Sequence, residues 1–124
     1  MEKDVSEIKE LDVWHFGEES ACRFLRKNGY KIVDRNYRTP QGEIDIIAGR
    51  KRILLFVEVR TRSSNHFAQP WESVGHRKQK NLRSAAKMYI QEKAIFDAEF
   101  RFDVISITLT DAVKPQIEWI QNAF

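Results

Sequence analysis

The sequence predicts a single α/β domain in which a central mixed β-sheet is flanked by helices. Residues 43–48 and 53–60 alternate apolar with other side chains, which is typical of two neighbouring strands. Residues 14–28 and about 71–93 instead repeat apolar side chains with the period of a helix. Further strands are predicted at 30–37, 101–108 and 116–120. The resulting order, α-β-β-β-α-β-β, indicates one sheet with helices packed on it.

Length and composition limit the classes of protein to which the chain can belong. Its 124 residues suit one domain, and 42% hydrophobic with 31% charged residues is typical of a soluble globular protein. No stretch is apolar enough to cross a membrane or to act as a signal peptide, and the single cysteine, Cys22, excludes an internal disulfide. We therefore expect a cytoplasmic protein whose residues 1–12 form a loose lead-in. The net charge of +3 permits an acidic partner such as nucleic acid.

The first predicted helix carries a carboxylate within its apolar stripe. Glu18 lies within about 60° of the apolar side chains on the helical wheel, and the helix is expected to end at Gly29. A carboxylate in such a place needs a partner. A metal site at the sheet would supply one, and the alternative is a hydrogen-bonded carboxylate favoured by the helix dipole.

Two more carboxylates are predicted to share one face of the hairpin. With a four-residue loop at 49–52, Asp45 lies opposite Phe56 and diagonal to Glu58, roughly 7–8 Å away by Cα. Such a pair suits one divalent cation, Mg²⁺ or Mn²⁺, with water and phosphate oxygens completing its shell. The alternatives are that the carboxylates face solvent, or that Arg60 pairs with Glu58.

Basic residues form a second group of candidates. Lys78 falls on the apolar side of the second long helix, so we expect it to reach toward the acidic residues. The opposite face of that helix and the loops supply candidates for contact with nucleic-acid phosphates, although such a stripe is commonly just a solvated face. These candidates are Lys80, Arg83 and Lys87 on the helix, and Arg38, Arg50, Arg52 and Arg62 elsewhere.

Several motifs resemble those of the YraN family, a group of bacterial proteins with an endonuclease-like fold. The matching segments are Gly17-Glu18 as the opening of a helix, Gly42-Glu-Ile-Asp45, Phe56-Val-Glu-Val-Arg-Thr-Arg62, Arg77-Lys-Gln79 and Arg101-Phe-Asp103. The family in turn is similar to archaeal Holliday-junction resolvases and to the restriction-endonuclease superfamily. The resemblance covers about residues 14–124 and implies a restriction-endonuclease-like fold.

The resemblance also implies a function and a set of site residues. The superfamily pattern of a helix Glu, an Asp and then (Asp/Glu)-x-Lys matches Glu18, Asp45 and Glu58, with Arg60 at the Lys position. Arg stays protonated and cannot act as a general base, but it can orient water or stabilise charge on a phosphate. We thus expect a Mg²⁺- or Mn²⁺-dependent endonuclease acting on DNA, with Asp45 and Glu58 as metal ligands and Lys78 partly replacing the missing Lys.

The alternatives are a nucleic-acid-binding module with a degenerate site and a structural interaction protein. Resolvases of this fold imply a homodimer by analogy.

Overall fold

The structure, a computed structural model, describes residues 10–63, 74–109 and 115–124, with only the backbone of residues 10–13 and 63. The predicted lead-in as far as residue 9 and residue 71, the predicted start of the second long helix, lie outside the described residues. The helix itself begins at His76, after Gly75 in an extended conformation, so the prediction is wrong for residues 74 and 75. No helix in the described ranges is both long and apolar enough to cross a membrane.

Five strands form one mixed sheet in the order β1-β2-β3-β4-β5. Only β3 and β4 run parallel, and the other neighbours are antiparallel. A parallel pair requires a crossover connection, and α2 lies within it. The predicted mixed sheet with helices is confirmed, and its elements are α1 (Glu10–Lys27), β1 (Lys31–Arg38), β2 (Glu43–Arg50), β3 (Ile53–Ser63), α2 (His76–Glu92), β4 (Glu99–Leu109) and β5 (Gln116–Ile120).

The sheet has a buried core on each face. On one face α1 packs Ala21, Cys22 and Leu25 against the sheet. On the other face α2 packs Leu82, Ala85, Ala86 and Tyr89 against a second apolar cluster. Both faces of β3 are therefore covered, which explains its nearly continuous apolar run and makes any carboxylate in it costly unless it has a partner.

Helix α1 starts earlier than the sequence pattern predicts. It begins at Glu10, so the part of the predicted loose lead-in from residue 10 to 12 is wrong. No Gly or Pro lies between residues 10 and 16, and nothing there stops the helix. Gly17 lies inside α1 and does not open it. A Cβ at Gly17 would lie 1.9 Å from Thr61 Oγ1, so glycine permits the close approach of α1 to β3.

The hairpin between β2 and β3 has a tighter turn than predicted. Arg50 pairs with Ile53 and Ile47 pairs with Phe56, so the predicted four-residue loop at 49–52 is wrong. The turn is only Lys51-Arg52, and Lys51 has a left-handed backbone (φ 54°). The two-residue shift places Asp45 at the level of Glu58 instead of Phe56, but the ladder itself ends at the pair Ile46–Val57.

Candidate functional site

An acidic cavity of about 240 Å³ lies where the start of β2, the middle of β3 and the first turns of α2 meet. Helix α2 comes close to this place because Gly42 has no side chain. A Cβ there would lie 3.1 Å from the backbone oxygen of Asn81, which cannot easily move away. The sequence analysis did not identify Asn81. The acidic cavity is lined by Gly42, Glu43, Asp45, Glu58, Lys78, Asn81 and Leu82.

Asp45 stands at the end of the β2–β3 ladder. Beyond the last pair, its Oδ2 accepts a hydrogen bond of 2.8 Å from the backbone N–H of Val59, so the side chain takes over a contact that a β2 carbonyl would otherwise make. Burial raises the pKa of Asp45 from 3.8 to about 7, and the charges of Glu58, Glu18 and Glu43 add to the increase, while the Val59 hydrogen bond opposes it. A carboxyl in this environment favours a proton or a nearby cation.

Glu58 is almost fully buried, and its two oxygens have different surroundings. Oε1 forms an ion pair with Lys78 Nζ and lies 3.9 Å from a guanidinium nitrogen of Arg60. Oε2 is buried and has no hydrogen-bond partner. A buried carboxylate oxygen without a donor or a cation is energetically costly, so the cavity beside it is a natural place for a ligand atom.

Lys78 reaches the acidic cavity as the helical wheel predicts. It extends from the first turn of α2, with about half of its side chain exposed, and its ammonium group contacts Glu58. Arg60 is much less exposed, at 16%, and its contact with Glu58 is the longer of the two. The cation nearest to Glu58 therefore comes from α2 and not from the motif position on β3.

Glu18 is held mainly by β1 and does not line the acidic cavity. The carboxylate is fully buried, and its Oε1 accepts hydrogen bonds from Arg35 at 3.3 Å and from the side-chain amide of Asn36 at 2.9 Å. Arg35 also donates a hydrogen bond of 3.0 Å to Glu19. Glu18 Oε2 has no hydrogen-bond partner, and the negative charge of Glu18 contributes to the raised pKa of Asp45.

Sequence patterns did not identify the two β1 partners of Glu18. Arg35 resembles any other strand cation in the sequence. Asn36 adopts a left-handed backbone with φ 53°, a conformation that Asn tolerates better than most residues. This preference is the only local signal that could have singled it out.

Asp45 and Glu58 have the chemistry of a divalent-cation site. Within the described ranges, no three or more His, Cys, Asp or Glu residues are grouped to hold a metal ion. Mg²⁺, however, commonly binds through only one or two carboxylates, with water and substrate phosphates as its other ligands. The unpartnered Oε2 of Glu58 and the burial of Asp45 both fit this type of site.

The predicted phosphate-contact residues of the strands fall into two groups. Arg38 lies at the cavity end of the sheet, where its Nε is 3.5 Å from Glu43 Oε1 in an ion pair without hydrogen-bond geometry. Arg62 lies near the end of β3, four residues beyond Glu58. Arg50 precedes the hairpin turn at the opposite end and Arg52 lies in it, and Arg50 is five residue steps along β2 from Asp45, or about 17 Å.

The basic residues of α2 are exposed, as the helical wheel predicts. Lys80 and Lys87 face outward. The guanidinium of Arg83 lies over two aromatic rings, 5.9 Å from the centre of Phe102 and 5.5 Å from that of Phe124. Arg83 therefore has a packing role that the sequence pattern alone did not reveal.

The chain is similar over most of its length to other bacterial proteins. The model of a family described as "Uncharacterised protein family UPF0102" matches residues 17–107. A UPF0102 protein of Syntrophomonas wolfei is 45% identical over 116 residues, which cover 94% of this chain and 98% of that protein. A UPF0102 protein of Geobacter metallireducens is 44% identical over 108 residues, covering 87% and 88% of the two chains. The YraN resemblance of the motifs is confirmed by these matches. The chain belongs to the uncharacterised protein family UPF0102.

Proposed function

We propose that the acidic cavity is the active site of a metal-dependent endonuclease that hydrolyses phosphodiester bonds in nucleic acid. The observation that carries the proposal is the buried, unpartnered Oε2 of Glu58 at the cavity that Asp45 also lines. Two protein carboxylates with an open oxygen suit a cation that also binds substrate phosphate. The resemblance of Glu18, Asp45 and Glu58 to the nuclease pattern supports the same function.

In this proposal Asp45 and Glu58 hold Mg²⁺ or Mn²⁺. The bound ion would lower the pKa of a water ligand and polarise a phosphoryl oxygen. Burial of Asp45 disfavours its ionised form when no cation is near, so the carboxyl gives up its proton more readily as a cation binds. Glu18 has a supporting role, because it adds negative potential at Asp45 while Arg35 and Asn36 keep its position fixed.

We assign the roles of the single Lys in the superfamily pattern to two residues, Arg60 and Lys78. Arg60 is always protonated, so its role is to hold and stabilise a phosphate or to orient water. Lys78 contacts Glu58 from a half-exposed position at the cavity, where an attacking water would also lie. We therefore assign the water-positioning role to Lys78.

We propose DNA as the nucleic acid, bound by basic residues around the cavity. Arg38 and Arg62 lie toward the same end of the sheet as Asp45 and Glu58, and Lys80 is on α2 two residues beyond Lys78. Contacts of this kind to phosphates give salt-dependent, largely sequence-independent binding. The homodimer and the cytoplasmic location expected from the sequence stay predictions.

The proposal is tested by a cleavage panel with Mg²⁺ or Mn²⁺ on single strands, duplexes, flaps and four-way junctions. We expect metal-dependent cleavage of at least one substrate, and a loss of at least about 100-fold in Asp45→Asn and in Glu58→Gln. Lys78→Met is expected to lower the rate more than Arg60→Lys, because the latter keeps a positive charge and places the amine of the superfamily pattern at the motif position.

Glu118→Gln is the matched control for Glu58→Gln. Glu118 is exposed on the edge strand β5, two strands across the sheet from β3, and its substitution removes the same charge without touching the lining of the acidic cavity. The control is expected to cleave at the wild-type rate. Equal cleavage by wild type and Asp45→Asn, or no metal-dependent cleavage on any substrate, would contradict the proposal.

A nucleic-acid-binding module without turnover is the second candidate. The ion pair of Lys78 with Glu58 favours it, because this contact compensates one carboxylate without any metal. In that case the wild type binds DNA with a steep salt dependence but cleaves none of the substrates. Binding of Mn²⁺ to the wild type, measured by calorimetry and lost in Asp45→Ala, would instead favour the enzyme.

A further inference from the structure

The end of the sheet opposite the acidic cavity carries a concentrated positive charge. There, the last turn of α1, the start of β1 and the β2–β3 turn come together. Arg50 links these elements, because its guanidinium donates a 3.5 Å hydrogen bond to the backbone oxygen of Asn28 and lies beside Gly29. Lys31 pairs in register with Gly49. We call this surface the basic end, and its six exposed basic residues are Arg26, Lys27, Lys31, Arg50, Lys51 and Arg52.

The charge of the basic end exceeds that of the whole chain. Segments 26–31 and 50–53, together with the adjacent segment 97–99, hold six basic and two acidic residues. The whole chain has a net charge of only +3. The positive excess of this protein is therefore gathered at one end, and the remainder of the sequence is nearly neutral. Such a distribution directs a polyanion to one surface.

Local structure explains only part of this pattern. Arg26 and Lys27 are in the last helical turn, where cations interact favourably with the helix dipole. Lys51 has no such explanation, because its φ of 54° is a conformation for which Gly, Asn or Asp is the usual turn residue. Three consecutive cations in a tight turn also repel one another. A binding partner with negative charges would offset this repulsion.

The basic end shows no sign of a buried ion pair that would consume these charges. Within the described residues, its one ion pair with a side chain is Arg52 to Asp97, at 3.8 Å between two side chains that are each more than three-quarters exposed. An exposed pair of this kind contributes little and is readily exchanged for a phosphate. The other five cations are exposed, and Arg50 among them also holds the backbone oxygen of Asn28.

We propose that the basic end binds the phosphate backbone of double-stranded nucleic acid, as a second contact surface separate from the acidic cavity. The separation of about 17 Å along β2 corresponds to about five base pairs of duplex. A duplex held there is anchored away from the place of cleavage. The proposed function enters only in the choice of nucleic acid as the polyanion. An anionic membrane fits less well, because Asp97 and Glu99 flank this surface and oppose a flat sheet of negative headgroups.

The test measures binding of a 20-base-pair duplex at several NaCl concentrations, in an Asp45→Asn background so that no cleavage is needed. The combined Arg50→Ala, Lys51→Ala and Arg52→Ala variant is expected to bind at least about 100-fold more weakly at 50 mM salt. The magnitude of its salt slope should fall by about 2 to 3, since each lost phosphate contact removes about 0.9. The charge-keeping variant Arg50→Lys with Arg52→Lys is expected to bind like the parent.

Two variants that each remove one positive charge control for the change in net charge. Lys51→Ala and Lys93→Ala remove the same charge from exposed positions, one in the basic end and one at the C-terminal end of α2. We expect a loss of about tenfold for Lys51→Ala and less than twofold for Lys93→Ala. Equal losses for the two, or an unchanged salt slope in the triple variant, would overturn the proposal. If the triple variant lost binding to phosphatidylserine vesicles but kept its binding to the duplex, the proposal would also be overturned. Absence of cleavage in the substrate panel would not, because this test measures binding alone.

Discussion

Two neighbouring strands each bury a carboxylate, and the two have opposite surroundings. Asp103 of β4 is fully buried and accepts four hydrogen bonds from the protein. Two come from Arg101, one from the indole of Trp119 and one from the backbone of Asn122, all between 2.8 and 2.9 Å. Glu58 of β3 is nearly as buried, but its two cations both lie at one oxygen and the other oxygen has no partner.

The difference separates a structural carboxylate from one that can bind a ligand. Every donor to Asp103 is supplied by β4, by β5 or by the residues that follow it, so this carboxylate ties the edge strand to the sheet and leaves no oxygen for another molecule. Glu58 lies at a cavity with one oxygen still to be satisfied. Burial alone therefore does not mark a site. What distinguishes Glu58 is an unsatisfied oxygen at a cavity, since Glu18 also has an unpartnered Oε2 but does not line the acidic cavity.

The largest expected effect comes from breaking the Asp103 network. Asp103→Ala would leave Arg101, with only a fifth of its side chain exposed, without its carboxylate. We expect a loss of about 3–5 kcal/mol in the free energy of unfolding, measured by denaturant titration. Glu118→Ala on β5, an exposed control, should change it by less than about 0.5 kcal/mol. A loss below about 1 kcal/mol in Asp103→Ala would mean that the network is not a structural tie.

The pH dependence of the free energy of unfolding tests the burial of Asp45, the other carboxylate of the acidic cavity. Its pKa is 3.8 when unfolded and about 7 in the metal-free folded protein, so the folded state binds more protons between these values. The free energy of unfolding should therefore fall as pH rises from about 4 to about 7. Asp45→Asn cannot ionise, and its amide oxygen can still accept the Val59 hydrogen bond. We expect this variant to exceed the wild type by about 2–4 kcal/mol at pH 8.

The measurement is a series of denaturant titrations between pH 4 and pH 8 in a chelating buffer. Glu118→Gln removes a carboxyl at an exposed position and should follow the wild-type curve. If Asp45→Asn shows the same decline with pH as the wild type, Asp45 is not the buried carboxyl responsible for it.

The sequence predicted the sheet, both helices and the principal acidic residues, because these depend on periodicity and on carboxylates in apolar stretches. It did not predict the hairpin register, since a two-residue and a four-residue turn both preserve the alternation that places Asp45 and Glu58 on one face. Strict alternation over residues 43–48 would also put Ile44 and Ile46 on one face, whereas Ile44 packs on the α2 side and Ile46 on the α1 side. The regular alternation breaks where the ladder ends beside Asp45.

Contacts between distant segments were the other unpredictable part. The helical wheel placed Lys78 on the inner side of α2, and this was enough to direct it toward the acidic residues. Nothing local indicated that Arg35 and Asn36 would hold Glu18, because this depends on how α1 lies across β1. Side-chain pairings of this kind depend on tertiary geometry that one sequence does not encode in a short-range pattern.

Metal binding tests the unpartnered oxygen of Glu58 directly. A ligand that binds only the folded state stabilises it, and a weak site with Kd on the order of 1 mM would add about 1.4 kcal/mol at 10 mM Mn²⁺. We expect this increase in the wild type and in Glu118→Gln, but not in Glu58→Gln. An equal increase in all three proteins would indicate general ion binding elsewhere. The unpartnered oxygen of Glu58 would then not mark it, in contrast to Asp103, as a carboxylate that binds a ligand.

The smallest expected effect concerns Arg60, the residue at the Lys position of the nuclease pattern. If Arg60 were the main partner of buried Glu58, its removal would cost about 3 kcal/mol. The structure gives that place to Lys78, because Arg60 lies 3.9 Å from the oxygen that Lys78 contacts more closely. Arg60→Ala would therefore leave Glu58 still paired, and we expect a loss of about 1 kcal/mol in denaturant titration. Arg101→Ala is the matched comparison, because it removes two hydrogen bonds of 2.9 Å from Asp103 and should cost more. If Arg60→Ala costs as much as Arg101→Ala, Arg60 is the structural partner of Glu58, and Lys78 is free to leave the carboxylate when a phosphate enters the cavity.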